Sequence, residues 1–176
     1  MAIVVILGYS WVLNRRFPRK LDQLMVIPPS FGAPESDRMD LSLQTMEQVV
    51  EVSRQVEAFC LEKGVDRRRA MLSGLCLEEM AGNVVLHGFT KDKRRHSVDL
   101  RVVYKDGELF LRIKDDCRPF DPTEYLRILQ PEDVTQNVGI RMVLAIAKKV
   151  SYQQILGMNV LCLRMGAPSN EGDGST

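Results

Sequence analysis

Leu72–Phe89 reads LSGLCLEEMAGNVVLHGF, and three polar residues in it, Glu79, Asn83 and His87, fall four apart. Along an α-helix each such step turns the next side chain by only roughly 40°, so the three share one stripe. Leu72, Leu75 and Cys76 fall close to the same stripe. The polar groups therefore sit on the face that should point inward. A carboxylate, an amide and an imidazole on an apolar face need partners, because unpaired burial is costly. A metal, a phosphate or a polar cavity would supply them, and so would hydrogen bonds inside the core. Either the fold places this helix at the wall of a polar space, or it satisfies all three internally.

A chain of 176 residues is long enough for one domain with a real hydrophobic core. Its 24 Lys and Arg stand against 23 Asp and Glu. That balance lacks the basic excess of a nucleic-acid binder, so no nucleic-acid partner is expected. Cys60, Cys76, Cys117 and Cys162 form no CxxC pair, and three of them lie in apolar segments. They read as buried reduced thiols of a cytoplasmic protein, and no zinc site is expected.

Ala2–Leu13 is apolar and uncharged, and Arg15, Arg16, Arg19 and Lys20 follow it. The run falls short of the about 20 residues that cross a bilayer. A signal peptide would carry its charges ahead of the apolar stretch. Two readings stay open. One is the end of a membrane helix with its basic cluster on the cytoplasmic side, which would make the chain the cytosolic domain of an integral membrane protein. The other is an ordinary buried strand or helix. The first is preferred.

Residues 1–37 thus divide into an apolar segment and a Pro-rich linker, residues 38–166 form the folded domain, and residues 167–176 are read as a disordered tail. Met39, Leu41 and Leu43 alternate as in a strand. Thr45 caps a helix over 47–62 that ends at Gly64, and Asp66 caps the next, over 67–87. Strands over 97–104 and 108–114 are joined at Asp106-Gly107. A short helix is expected over 123–129 and an amphipathic one over 139–149. A last hairpin pairs 151–155 with 160–165 across Gly157-Met158-Asn159. Helices and hairpins segregate along the chain, which predicts an α+β fold: a two-layer α/β sandwich, mostly antiparallel, with helices on one face. No GxGxxG and no GxxxxGK[ST] occurs.

Two further segments carry chemistry. Ile113–Pro122, IKDDCRPFDP, places an acidic pair at a strand end. Asn137–Val143, NVGIRMV, sets a glycine just before a helix, where backbone N–H groups can approach an anion. With the polar helix, these segments make residues 39–165 resemble the ATPase domain of the GHKL superfamily (gyrase, histidine kinase and MutL type), closest to its anti-sigma-factor serine kinase branch. Glu79-x3-Asn83-x3-His87-Gly88-Phe89 is similar to that family's N-box, and Asp115 to Pro122 to its D-x-G-x-x-F-D-P box. Asn137-Val138-Gly139-Ile140 is similar to its G-x-G-[LIF] box, and Leu156–Val160 to its late G-T-T-V hairpin.

The resemblance implies a Bergerat-type fold that binds ATP with Mg²⁺. Asn83 would hold the metal, Glu79 would act as catalytic base, and Asp115 would read adenine. Phe120 and Gly139 would complete the nucleotide site, with Asn159 where a Thr often contacts adenine. A protein partner, of anti-sigma-antagonist or sigma type, would receive the phosphoryl group on a serine. His87 reads instead as a helix-end residue, and Lys91, Lys93, Arg94 and Arg95 as a solvated loop. Cys117 and Asn137 stand where the family has glycines, and the lid over 127–137 is short. Those departures favour a rival: a degenerate module with the same fold that acts by protein contact alone. A histidine kinase core is a weaker third reading, because no phosphoacceptor helix is evident ahead of the domain.

Overall fold

The computed structural model describes residues 33–89, 95–128 and 137–166. The expectations for the apolar amino-terminal run and its basic cluster, for Lys91, Lys93 and Arg94, for most of the lid and for the tail lie outside these residues. In chain order the elements are β1 (Arg38–Leu43), α1 (Met46–Glu62), α2 (Arg67–Asn83) and a π turn (Val84–Gly88). Then follow β2 (Val98–Lys105), β3 (Glu108–Asp115), α3 (Pro122–Ile128), α4 (Val138–Ile146), β4 (Lys149–Ile155) and β5 (Met158–Met165). The strands form one sheet in the order β1-β2-β3-β5-β4, and every neighbouring pair is antiparallel. The fold is α+β, as the segregated helices and hairpins predict.

Local chemistry explains most boundaries. The Thr45 hydroxyl accepts from the Gln48 N–H, and the Gln48 side chain accepts from the Thr45 N–H, which closes a capping box on α1. Val49, Val52, Val56 and Cys60 then recur at helical spacing and are buried. Asp66 accepts from the Arg69 N–H at 3.0 Å and starts α2. Leu43, Leu100, Leu111 and Leu163 alternate inward from four strands to meet Leu77 and Met80 of α2 and Val143 of α4 in one core.

Three boundaries differ from expectation, and each moves a residue of the site. The second helix stops at Asn83, and a π turn carries the chain on to Gly88. The π turn carries His87 to an exposed position that lines the same cavity as Asn83, whereas Glu79 does not line it. The last helix ends at Ile146, because Val150 and Tyr152 are needed facing the core as alternate residues of β4. The final turn uses only Leu156 and Gly157, both left-handed at φ 51° and 80°. That is the tight turn suited to strand twist. Asn159 consequently lies within β5, directly opposite Asp115 of β3.

Candidate functional site

A cavity of about 610 Å³ opens between the end of α2, the end of β3 and the β4–β5 hairpin. Asn83, Asp115, Phe120, Asn137 and Asn159 all line it, together with Tyr152. Its size is that of a small-molecule or cofactor site.

Asp115 is the buried charge of this cavity, 6% exposed at the last position of β3. Its Oδ1 accepts from the Cys117 backbone N–H at 2.9 Å and from the Asn159 amide at 2.8 Å. Burial pushes its carboxyl above the usual carboxylate range, while the bonds from Asn159 and Cys117 pull it back. Asn159 also donates to the Cys117 carbonyl at 3.0 Å and accepts from the Tyr152 hydroxyl at 2.8 Å. Both amide protons of Asn159 are thus committed to the Asp115–Cys117 turn. Here Asn159 holds the carboxylate, whereas the resemblance gives that position a contact with adenine. Tyr152 was not singled out from sequence. Its only signal there is an inward phase on β4, which a residue-by-residue reading does not connect to Asp115.

Phe120 stands at the rim, 42% exposed, with its ring tilted against Tyr125 at 5.1 Å. Asp121 beside it accepts from the Thr123 N–H at 2.9 Å and begins α3. Asn137 precedes α4 at φ 60° and ψ 33° with no side-chain cap. The left-handed region suits glycine first and asparagine next, so Asn137 keeps the backbone turn that the family's glycine would make. Cys117 is 8% exposed, and its Cβ and Sγ would both come within 3.0 Å of a Cβ placed on Gly88. A side chain at 117 is accommodated because residue 88 has none.

Glu79 and Gly139 are brought together beside the cavity, which their neighbours Met80, Asn83 and Ile140 line and they do not. A Cβ on Gly139 would overlap the Glu79 carboxylate, whose Cδ lies only 2.6 Å from that point. Gly139 is therefore the contact that lets the first turn of α4 rest on a carboxylate one helical turn from Asn83. The sequence reading anticipated a glycine giving way to an anion; the anion it meets in this structure belongs to the chain itself.

Residues 43–165 match the model of a family described as the histidine kinase-like ATPase domain. Among solved structures, the RsbU and RsbW domains of Rv1364c from Mycobacterium tuberculosis align with a TM-score of 0.51 at 16% identity, over 72% of this chain and 32% of that one. The chain thus spans about a third of that solved chain, and the likeness is one of fold. The histidine kinase domain of the blue-light-activated histidine kinase EL346 from Erythrobacter litoralis aligns at 16% identity with a TM-score of 0.43, over 66% of this chain and 64% of that one. No curated protein matches the sequence. With the family model covering residues 43–165, this chain belongs to the histidine kinase-like ATPase domain family.

Proposed function

We propose that this domain binds ATP with Mg²⁺ and regulates a protein partner in the manner of the anti-sigma-factor serine kinases. The observation that carries the reading is the buried carboxylate of Asp115, fixed on Oδ1 by two donors at the inner wall of a cavity of nucleotide size. A carboxylate held this way accepts from an exocyclic amine such as that of adenine. Asn83, at the end of α2 and also lining the cavity, offers an amide oxygen of the kind Mg²⁺ takes, with phosphate oxygens and water completing the shell. When bound, the ion neutralises charge on the phosphates. Glu79, one turn earlier, would take the proton of the partner's serine hydroxyl as its oxygen bonds to the γ-phosphorus and the bond from that phosphorus to ADP breaks, ADP leaving. The apolar run Ala2–Leu13 and its basic cluster support attachment on the cytoplasmic side of a membrane. No helix among the described residues is long and apolar enough to cross one.

A second reading is favoured by one specific contact. The Glu79 carboxylate lies against Gly139 instead of lining the cavity. A domain kept in that arrangement would bind nucleotide weakly and act by protein contact alone. Calorimetry with ATP and ADP, with and without Mg²⁺, separates the two. Mg²⁺-dependent binding of ATP that Asn83→Ala makes independent of the ion supports the first reading. A folded protein that takes up neither nucleotide establishes the second.

A further inference from the structure

Beside the cavity, two residues with no part in the nucleotide reading meet Cys117, which lines it. His96 lies just ahead of β2, and Asp116 and Cys117 follow β3. Those strands are antiparallel neighbours, which brings the end of one beside the start of the other. His96 is 6% exposed, and its ring stacks on Phe89 with centroids 5.6 Å apart and planes at 30°. Its Nδ1 lies 2.7 Å from Asp116 Oδ1. One ligand atom from each of His96, Asp116 and Cys117 falls within 4.8 Å of the other two. The thiol is seated against Gly88 and also hydrogen-bonds the Asp115 carboxyl.

We propose that His96, Asp116 and Cys117 form a binding site for a soft divalent transition-metal ion of the Zn²⁺ type. An imidazole nitrogen, a thiolate sulfur and a carboxylate oxygen are a set that zinc accepts and that Mg²⁺ does not seek. Three protein ligands leave one tetrahedral position open to water or to a bound molecule at the cavity edge. Nitrogen and oxygen ligands of a tetrahedral zinc stand about 3.3 Å apart, so the Asp116 carboxylate need draw back only about half an ångström to admit the ion. The Cys117 proton leaves as the metal binds, and affinity rises with pH accordingly. This site does not rest on the nucleotide reading. The expectation of no zinc site came from the lack of a CxxC pair. Here the ligands are two adjacent residues and a histidine 20 positions away, a pattern with no signature until the strands pair.

The test titrates the full, reduced protein with Co²⁺ and follows its absorption. Among the described residues Cys60, Cys76 and Cys162 stand in no such group of ligand side chains. A thiolate-to-cobalt charge-transfer band in the near ultraviolet that is lost with the Cys117 thiol therefore reports this site. The expected result is a stoichiometric band, with the intense visible absorption of tetrahedral cobalt, that Zn²⁺ displaces. Cys117→Gly should abolish the band. His96→Gln should weaken the metal by at least about tenfold with an unchanged circular dichroism spectrum. Absence of the band in the native protein overturns the proposal, as does a band that survives Cys117→Gly or metal affinity that ignores His96→Gln. If Cys117→Gly fails to fold, Cys117→Ser is measured in its place, and persistence of the band there is equally decisive.

Discussion

At the scale of the residue, Asp115 sets a requirement of the site against a preference of the fold. Burial favours its neutral form, so the folded state binds the proton more tightly than the unfolded chain does. The stability it contributes is full below the unfolded value and is lost as pH rises through the raised folded value. Nucleotide binding needs the opposite, the ionised carboxylate. Asp115→Asn should therefore weaken ATP by about 1–3 kcal/mol in calorimetry. It should not lower the melting temperature at neutral pH, and the loss of stability across that pH window should disappear from its melting curves. Equal ATP affinity in the two proteins would show that Asp115 does not read the base. Tyr152 acts one step away, through Asn159. Tyr152→Phe removes the donor that orients the Asn159 amide, and ATP affinity should fall by about 0.5–1.5 kcal/mol. Affinity for inorganic tripolyphosphate should stay unchanged, because the defect lies at the base end of the cavity; matching losses for both ligands would refute that placement.

Between elements, the approach of α2 to α4 turns on one glycine. The residue in G-x-G position was read from sequence as room for a phosphate, and the structure adds a nearer occupant, the Glu79 carboxylate. Gly139→Ala should cost about 1–3 kcal/mol of stability in denaturant titrations, since the added methyl meets an atom that must move. Glu79→Ala combined with it should recover most of that loss, giving a coupling of about 0.5–3 kcal/mol in a double-mutant cycle. Additive effects would mean that Gly139 is needed for its backbone and not for this contact. The same elements show what sequence can and cannot carry. Thr45, Asp66, and Asp106-Gly107 act within a few residues of themselves, and each boundary they mark was legible. The looser winding after Asn83 was not, because nothing in VVLHG forbids an α-helix. Nor was the register of β5, which depends on Leu156 accepting a left-handed turn that its side chain disfavours. The pairing of Asp115 with Asn159 follows from the register of β5, whereas that of His96 with Asp116 follows from the β2–β3 hairpin.

For the molecule as a whole, the question is how much of the chain the fold requires. Every buried residue of the main core lies between Leu43 and Met165, which is also the span of the family match. On the other face of the sheet a second, small cluster joins Ala33 to Val103, and the Arg38 guanidinium donates to the Ala33 carbonyl at 3.3 Å. Ala33 thus packs against the sheet ahead of β1. A chain of residues 33–166 should fold cooperatively and bind ATP as tightly as the whole. Its melting temperature should lie within roughly 4 °C of the full chain, the shift that about 1 kcal/mol produces at this size. A chain beginning at Asp37 should melt lower than one beginning at Ala33, because Val103, fully buried in the structure, loses the cover of Ala33. Should residues 33–166 themselves melt far below the full chain, the apolar run Ala2–Leu13 would have to be packed on this domain, and the case for its lying in a membrane would be withdrawn.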